Sequence, residues 1–519
     1  MSLPSAPPSG PLWPGPTIGT LTLRALRRYP DRIAFAEDSG QLSYGGAAEL
    51  IGRFQRVLEA RGLRRGDRVG LLAGNTAQAW CAGMAVQASG MATSWLHPLG
   101  SVDDQLYQLA DLGAAACIVD ADRFPERTGV LAEKAGDVPV LGLGGGGVAV
   151  PDLMAEVEKA GAATACDLAQ PDDIGLVNYT GGTTGRPKGV LRRQSGVPWI
   201  MSLGTALDFE IPVAGRYLAV APITHVAGTK VLPVLSLGGT VHLQTGFDPE
   251  RALATIARER ISMSLMVPTM IYALLDHPAL DRADLSSLEL LLYGAAPMSP
   301  TRLAEGIERM GPVFSQLYGQ TECYPISVLR RAEHSDATLA GSCGSPVSGV
   351  SVALLDPEGN PVPPGEPGEI CARGPGVMEG YWRQPELTEA TFAHGWLHTG
   401  DVARADERGY LTIVDRTKDM IISGGFNVFP REVEDALTSH QAVAMAAVFG
   451  VSDEKWGEAV TAAVVLRPGA EVTEEELARH VRERKGAVQT PKSLRFVNTL
   501  PTTAVGKIDK KALRATWEN

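Results

Sequence analysis

The stretch Tyr179-Thr-Gly-Gly-Thr-Thr-Gly-Arg-Pro-Lys-Gly189 follows the apolar run Ile174–Val177 after one residue. This order predicts a short strand that leads into a loop with three threonines, four glycines and one lysine. Glycines let backbone N–H groups approach a polyphosphate closely, hydroxyls add donors, and the lysine adds a positive charge. The stretch is not a Walker loop, because Pro187 precedes the lysine and no Ser or Thr follows it. We predict a phosphate-binding loop, with a Gly/Thr-rich surface turn as the alternative.

The length, charge and cysteine pattern of the chain limit its class. A chain of 519 residues exceeds what one hydrophobic core supports, so we expect two or more domains. The formal net charge of −12 argues against a nucleic-acid surface. The sequence has no uninterrupted apolar run of about 18 residues that would predict a membrane span. Cysteines without C-x-x-C spacing indicate reduced thiols in a cytoplasmic protein, not a disulfide or zinc framework. They are Cys81, Cys117, Cys166, Cys323, Cys343 and Cys371.

The order of strand-like and helix-period segments predicts the fold class. These segments alternate over residues 20–119 and again over 217–317, which is typical of parallel sheets with helices on their faces. Residues 348–372 form short alternating segments broken by Pro and Gly, so we expect a small β subdomain there. After Asp415 the pattern predicts a compact α+β module of about 100 residues. The predicted class is α/β, with two stacked α/β subdomains, a small β subdomain and an α+β C-terminal domain.

Two further segments bear on the domain borders. Residues 1–16 are rich in Pro and Ser without an apolar core, so we expect a disordered lead-in and not a signal peptide. Gly142-Leu-Gly-Gly-Gly-Gly147 satisfies G-x-G-x-x-G, but Pro151 follows it and no helix pattern does, so we predict a flexible loop. We place an N-terminal domain at 17–414, a linker at 415–419 and a C-terminal domain at 420–519.

The predicted phosphate loop closely resembles that of the adenylate-forming superfamily, which contains acyl- and aryl-CoA synthetases, peptide-synthetase adenylation domains and luciferases. The resemblance implies ATP as a substrate. It assigns phosphate contacts to Thr180, Gly181, Gly182, Thr183, Thr184, Gly185 and Lys188, with Thr184 also near Mg²⁺. Relatives usually carry Ser where this chain has Gly181, so the resemblance implies that one hydroxyl contact to the leaving pyrophosphate is missing or replaced.

Three blocks in the first 330 residues resemble further family motifs. Ala221-Pro-Ile-Thr-His-Val-Ala-Gly228 resembles the block in which His225 gates the acyl pocket; a packed core histidine is the alternative. Tyr293-Gly-Ala-Ala-Pro-Met-Ser299 resembles the adenine block, which implies contacts from Gly294, Ala295 and Ala296. Gln316-Leu-Tyr-Gly-Gln-Thr-Glu322 resembles a third block. It implies that Tyr318 and Gly319 contact the adenine base, and that Thr321 and Glu322 are catalytic, with Glu322 binding Mg²⁺. The alternative for the third block is a turn between a strand and a helix.

The remaining blocks imply the ribose site and a moving domain. Trp396-Leu-His-Thr-Gly-Asp401 resembles the block whose carboxylate, Asp401, accepts from both ribose hydroxyls, and a simple turn is the alternative. Residues 415–434 resemble the hinge on which the C-terminal domain turns. The implied roles are Arg416 near the ribose and phosphates, Lys418 at the hinge, Gly424 and Gly425 along the CoA tunnel, and Lys507 as the mobile catalytic lysine.

The chain most resembles FadD-like acyl-CoA synthetases, which form an acyl-adenylate from ATP and then transfer the acyl group. The residues after His225 and Glu322 should line the acid pocket, namely Thr229, Lys230, Cys323 and Tyr324. Relatives are generally apolar at positions 229 and 230. A buried ammonium is costly without a partner, so Lys230 either contacts a polar substrate group or has a scaffold role, paired internally or reaching the surface. The wall after Glu322 favours a small or aromatic acid.

Three functions follow for comparison. The first is a CoA ligase for a carboxylic acid, using ATP, Mg²⁺ and CoA. The second is a secondary-metabolism adenylating enzyme with another acceptor, such as a diazotase that activates nitrite for an aryl amine. The third is a non-catalytic nucleotide sensor, which the presence of Glu322, Asp401 and Lys507 disfavours. The expected partners are a small acid and a small nucleophile, without nucleic acid, and a homodimer is kept as a hypothesis.

Overall fold

The computed structural model describes residues 15–180, 186–200, 204–416, 419–423, 426–453, 456–502 and 508–517. The strands are β1 (Ile33–Glu37), β2 (Gly40–Ser43), β3 (Arg68–Leu72), β4 (Ala92–Trp95), β5 (Ala116–Val119), β6 (Val140–Gly142), β7 (Ile174–Thr180), β8 (Lys188–Arg193), β9 (Arg216–Ala219), β10 (Thr240–Leu243), β11 (Met263–Met266), β12 (Leu290–Gly294), β13 (Phe314–Gln320), β14 (Cys323–Leu329), β15 (Ser345–Pro346), β16 (Ser351–Leu355), β17 (Gly368–Arg373), β18 (Gly380–Tyr381), β19 (Leu397–Ala405), β20 (Leu411–Arg416), β21 (Ile421–Ser423), β22 (Phe426–Val428), β23 (Val443–Asp453), β24 (Gly457–Leu466) and β25 (Ser493–Phe496).

The helices lie between these strands. They are α1 (Ile18–Arg28), α2 (Tyr44–Ala60), α3 (Ala77–Ala88), α4 (Val102–Leu112), α5 (Pro125–Lys134), α6 (Leu153–Lys159), α7 (Val197–Ile200), α8 (Val231–Ser236), α9 (Pro249–Arg258), α10 (Pro268–Leu275), α11 (Pro300–Met310), α12 (Pro385–Thr391), α13 (Pro430–Thr438), α14 (Glu474–Lys485) and α15 (Lys510–Trp517). None of the helices in the described part of the chain is long and apolar enough to cross a membrane.

Two large sheets form the N-terminal part of the molecule. One has seven strands in the order β18-β8-β7-β4-β3-β5-β6, and the other has nine in the order β15-β14-β13-β12-β11-β9-β10-β1-β2. The central strands of both sheets are parallel, whereas β8 and β18 in one sheet and β14, β15 and β2 in the other form antiparallel pairs toward the sheet ends. Helices α1 to α3 contribute buried residues such as Leu26, Phe54 and Val86 to the same core as Val69 of β3 and Val241 of β10. The two sheets are therefore stacked, as the sequence predicts.

A smaller sheet and a C-terminal unit complete the fold. The four-stranded sheet has the order β16-β17-β19-β20 and is antiparallel throughout. The C-terminal sheet contains β22-β21-β24-β23, and β25 pairs with β24 in parallel. Helices α13 and α14 cover it with the buried residues Val433, Leu437, Leu477 and Val481. This architecture confirms the predicted α/β class with a large N-terminal and a smaller C-terminal part.

Local sequence explains where single elements begin. Helix α14 opens with a capping box, because the Thr473 side chain accepts from the Glu476 N–H and the Glu476 side chain accepts from the Thr473 N–H. At residues 142–147 the chain leaves β6 without forming a helix, in agreement with the predicted loop. One alternative for the Thr321–Glu322 segment was wrong: the turn joins two antiparallel strands, β13 and β14, and not a strand and a helix.

Candidate active site

The two strands that flank the predicted phosphate loop form an antiparallel pair. Thr180 at the end of β7 lies opposite Lys188 at the start of β8. The loop residues Gly181, Gly182, Thr183, Thr184 and Gly185 lie outside the described residues. The Lys188 amino group lies 5.5 Å from the ring centroid of Tyr381 on β18. The pairing therefore brings both ends of the loop together beside β18.

Tyr381 connects the phosphate-loop lysine to the predicted metal turn. Its hydroxyl donates to Oε1 of Glu322 at 2.9 Å. Burial, followed by the charge of Glu322, raises the pKa of Tyr381, so the phenol keeps its proton and can donate. Glu322 is half-buried and Thr321 is exposed, at the tight turn between β13 and β14. A carboxylate and a hydroxyl side by side are hard oxygen donors, and this donor set fits Mg²⁺.

The predicted ribose residue is buried and hydrogen-bonded to the predicted adenine residue. Asp401 on β19 is 4% exposed, and its Oδ2 accepts the hydroxyl of Tyr318 at 2.7 Å. The backbone of Arg416 lies opposite Asp401 in the β19–β20 pair. The sequence predicts that the ring face of Tyr318 contacts the base. The hydrogen bond from its hydroxyl to Asp401 was not predicted. Tyr318 and Asp401 therefore lie within one site.

A half-buried polar network fixes the backbone that carries Asp401. Oε1 of Glu369 on β17 accepts the N–H of Gly400 at 2.7 Å, and Oε2 lies 2.7 Å from Nδ1 of His398. Nε2 of His398 lies 3.1 Å from the carbonyl oxygen of Ala393. These contacts hold both strands of the β17–β19 pair at the residue before Asp401, so they limit the motion of its carboxylate.

The small residues of the adenine block lie at the end of β12. Gly294 cannot carry a side chain, because a Cβ would lie 2.3 Å from the carbonyl oxygen of Leu317 on the neighbouring strand β13. Close strand packing, in addition to room for a flat base, therefore requires this glycine. Ala295 has a positive φ of 63° and is exposed, and Ala296 is half-buried. Gly319 is also restricted, since a Cβ would lie 2.9 Å from the Tyr324 ring.

His225 lies in the loop after β9 and packs against a second histidine. The ring centroids of His225 and His97 are 4.3 Å apart, with the planes nearly perpendicular. Thr224 Oγ1 lies 2.8 Å from His225 Nδ1. Burial, and secondarily the proximity of His97, lower the pKa of His225 to about 3, so its ring is neutral at physiological pH. His97 lies 128 positions before His225 and was not predicted, because a lone histidine in a loop gives no pairing signal.

Three of the residues predicted to line the acid pocket, Thr229, Lys230 and Tyr324, lie together. A 3₁₀ helix, Val226–Lys230, precedes α8, and its last residue is fully buried. The Lys230 Nζ donates to the Tyr324 hydroxyl at 2.8 Å and lies 3.9 Å from the ring centroid of Phe209. Burial lowers the pKa of Lys230 well below its usual range. Thr229 Oγ1 donates to the carbonyl oxygen of Val226 at 2.7 Å. The full burial of Lys230 excludes the expected position at the surface.

The remaining predicted site residues are Cys323 and several positions outside the described residues. Cys323 is fully buried at the start of β14 and directly precedes Tyr324. Lys418, Gly424, Gly425 and Lys507 lie outside the described residues, as does the side chain of Arg416. The C-terminal unit contacts the N-terminal part through Arg431, which donates to the carbonyl oxygen of Met298 at 3.1 Å.

Comparison with known proteins identifies the family. The AMP-binding enzyme family matches residues 23–382, and the AMP-binding enzyme C-terminal domain matches residues 432–507. The medium/long-chain-fatty-acid–CoA ligase FadD8 of Mycobacterium tuberculosis is 43% identical, over 98% of this chain and 92% of FadD8. A feruloyl-CoA synthase of Amycolatopsis sp. is 38% identical, over 96% of this chain and 98% of that protein.

Solved structures agree with this assignment. The amide bond synthetase McbA from Marinactinospora thermotolerans has a TM-score of 0.90 and 34% identity, over 96% of this chain and 100% of McbA. The anthranilate CoA ligase AuaEII in complex with anthranoyl-AMP has a TM-score of 0.89 and 26% identity, over 97% of this chain and 98% of AuaEII. The chain therefore belongs to the AMP-binding enzyme family within the adenylate-forming superfamily, and it is an AMP-forming acyl/aryl-CoA ligase.

Proposed function

We propose that this CoA ligase activates a medium-sized aromatic carboxylic acid whose ring carries a polar or anionic substituent. The observation that carries the proposal is the fully buried amino group of Lys230, which lies between the rings of Phe209 and Tyr324. Two aromatic side chains provide flat apolar surfaces, and the amino group provides a polar contact between them. An aromatic acid with one polar ring group matches both features.

The charge of Lys230 supports an anionic or hydroxyl-bearing partner. Burial lowers the pKa of Lys230 well below its usual range, which favours the neutral amine in the free enzyme. A ring faces the amino group on two sides, with Nζ at 3.9 Å from Phe209 and at 5.1 Å from Tyr324. An anionic substituent that enters this cluster stabilises the ammonium form. Binding such a substrate should therefore draw a proton from solvent.

Related enzymes support the acid class. Its relatives include a feruloyl-CoA synthase, 38% identical, and an indoleacetate–CoA ligase from Aromatoleum aromaticum, 32% identical. FadD8, at 43% identity, is named for medium- and long-chain fatty acids, so identity alone does not choose between aromatic and aliphatic acids. The Lys230 cluster favours the aromatic class, because the rings of Phe209 and Tyr324 offer flat surfaces to an aryl ring and the amino group offers a polar contact that an alkyl chain would not use.

The ATP site is proposed from the residues that the fold assembles. Glu322 and Thr321 would hold Mg²⁺, which neutralises charge on the triphosphate, and Asp401 would accept from the ribose hydroxyls. Lys188 would contact the phosphates beside Tyr381, and neutral His225 would border the acyl pocket. Lys507 is proposed to stabilise charge that develops between the carboxylate and the α-phosphate. We also propose residues 415–419 as the hinge between domains 17–414 and 420–519.

The acid class is tested by ATP–pyrophosphate exchange against matched acids. The panel contains benzoate, hydroxybenzoates, aminobenzoates, dicarboxylated arenes, cinnamates, octanoate and nitrite. We expect the highest kcat/KM for an aromatic acid with a polar ring group and a lower value for its unsubstituted parent. Preference for octanoate over every aromatic acid would contradict the proposal.

A second acceptor deserves a test because of one structural neighbour. McbA, with a TM-score of 0.90, is named as an amide bond synthetase. Transfer of the adenylate to an amine is therefore the alternative second half-reaction, in place of transfer to CoA. The same reaction mixtures, analysed by mass with CoA, with an aryl amine or with neither, separate a thioester from an amide or diazo product.

A further inference from the structure

A buried arginine lies directly behind the Thr321–Glu322 turn. Arg192 is on β8, four residues after the phosphate-loop lysine Lys188, and is 3% exposed. Its Nη2 donates to the carbonyl oxygen of Thr321 at 2.7 Å. Its Nη1 is buried and has no hydrogen-bond partner among the described residues. The sequence gives no sign of this position, since Arg192-Arg193 reads as an ordinary solvated pair on a strand.

Stability does not account for a guanidinium at this position. Burial lowers the pKa of Arg192 to about 10, although Cys323, Glu322 and Glu379 act in the opposite direction, so the group is charged at neutral pH. Replacing buried charges by apolar groups of similar volume is often neutral or stabilising. The orphaned Nη1 adds a cost, because buried donors without partners destabilise a fold. The contacts of Arg192 suggest a functional reason for a guanidinium at this position.

Arg192 completes a set of contacts that hold the turn from two paired strands. Strand β8 pairs with β18, with Leu191 opposite Gly380 and Val190 opposite Tyr381. From β18, the Tyr381 hydroxyl donates to the Glu322 side chain at 2.9 Å. From β8, Arg192 binds the Thr321 carbonyl. Just before β18, the N–H of Met378 donates to the Glu322 carbonyl at 2.7 Å. The backbone of the turn is thus held by Arg192 of β8 and by Met378, and its carboxylate is held by Tyr381 of β18, the strand that pairs with β8.

We propose that Arg192 is a positioning residue for the metal: by holding the Thr321 carbonyl it places the Glu322 carboxylate for the divalent cation of the ATP complex. This rests on the proposed metal role of Glu322. Arg192 does not touch the cation itself. It couples the position of the turn to β8, and so to the phosphate loop that precedes β8. Residues that orient metal ligands typically change metal affinity by about 10- to 100-fold when they are replaced.

The test uses Mn²⁺ as a spectroscopic probe. Free Mn²⁺ is measured by electron paramagnetic resonance while the full-length enzyme, saturated with a non-hydrolysable ATP analogue, is titrated. The variants are R192M, R192K, E322Q and R193M. Arg193 is the matched control, because it neighbours Arg192 on β8 but forms a half-exposed ion pair with Glu379 at 2.8 Å. Melting temperatures of all variants are recorded beside the titrations.

We expect R192M to weaken Mn²⁺ binding by about tenfold without a matching loss of melting temperature. R192K, which keeps the charge but loses the planar fork, should fall between wild type and R192M, and R193M should bind as wild type does. If R192M fails to fold, R192K carries the same test with an expected loss of several fold. Unchanged Mn²⁺ binding in R192M, with weakened binding in E322Q, overturns the role of Arg192 alone. Unchanged binding in E322Q overturns the metal role of Glu322 and, with it, the route by which Arg192 acts.

Discussion

At the scale of a single residue, Lys230 is proposed to set the chemistry of the acid pocket. Its amino group contacts Tyr324, 94 positions later in the chain, and Phe209, 21 positions earlier. The sequence predicts that Lys230 lies near the pocket, but it does not reveal these rings, because each contact depends on how distant segments pack. The question that remains is whether this buried amine between two aromatic rings contacts the substrate or only stabilises the fold.

Replacing Lys230 with methionine should change substrate preference. K230M keeps the length and apolar packing of the side chain and removes the amine. We expect relative kcat/KM to move from acids with polar or anionic ring groups toward unsubstituted aryl and aliphatic acids, by more than about tenfold. The measurement is the acid panel run on wild type and K230M, with a thermal melt of each. An equal loss for all acids that follows the melting temperature would give Lys230 a scaffold role only.

The same variant should alter how stability depends on pH. Burial lowers the folded pKa of Lys230 below the ordinary lysine value of 10.5, so the unfolded chain binds the extra proton between these two values. Over that interval the wild-type free energy of unfolding should rise with pH by about 1.4 kcal/mol per unit relative to K230M. Melting temperatures of both proteins from neutral pH to pH about 10 test this. Parallel curves would show that Lys230 keeps its proton in the fold.

At the scale of elements, the sequence predicts the order of the motifs along the chain but not which strands pair with each other. The phosphate-loop motif predicts a strand before the loop, and β7 ends at Thr180. The second strand β8 and its partner β18 were missed, because short edge strands such as Gly380–Tyr381 have no periodicity. Tyr381 and Arg192 were therefore missed as well, although both contact the Thr321–Glu322 turn. By contrast, the start of helix α14 depends on a local signal, the capping box between Thr473 and Glu476.

The proposed hinge is an element whose function can be tested by one substitution. Lys418 lies outside the described residues, and its role follows from the motif at 415–434. K418P should allow adenylate formation and block thioester formation, because proline fixes φ and prevents rotation of the backbone. The measurement is pyrophosphate release in a single turnover beside steady-state production of AMP. Normal steady-state turnover would exclude Lys418 as the hinge.

At the scale of the whole molecule, the two parts are proposed to divide the reaction between them. The ATP residues described above, such as Asp401 and Glu322, lie in the N-terminal part, whereas Lys507 belongs to the C-terminal segment. K507A should reduce adenylate formation by about 10²- to 10³-fold, the usual effect of losing one positioned transition-state charge. Transfer from a synthetic acyl-adenylate to CoA should stay near the wild-type rate. Equal losses in both half-reactions would contradict a domain that presents Lys507 in only one of them.

Much of the whole-molecule architecture followed from the sequence, for a physical reason. Alternating strand and helix periods report local backbone preference, so the stacked α/β sheets and the separate C-terminal sheet could be predicted. Close approaches between strands are not local. Gly294, for example, reads as space for a base, yet a Cβ there would lie 2.3 Å from the Leu317 carbonyl oxygen of the next strand. Residue identity alone does not separate these two reasons for a glycine.

The most direct test of the central claim is the product formed from ATP, a polar-substituted aromatic acid and CoA by the wild-type enzyme. Mass spectrometry should detect the aryl-CoA thioester, with one AMP and one pyrophosphate released for each thioester, and no thioester without CoA. Calorimetry of acid binding in buffers of different ionisation enthalpy should show proton uptake in the wild type and none in K230M. A thioester that forms only from aliphatic acids would contradict the account, as would an adenylate that passes to an amine but never to CoA.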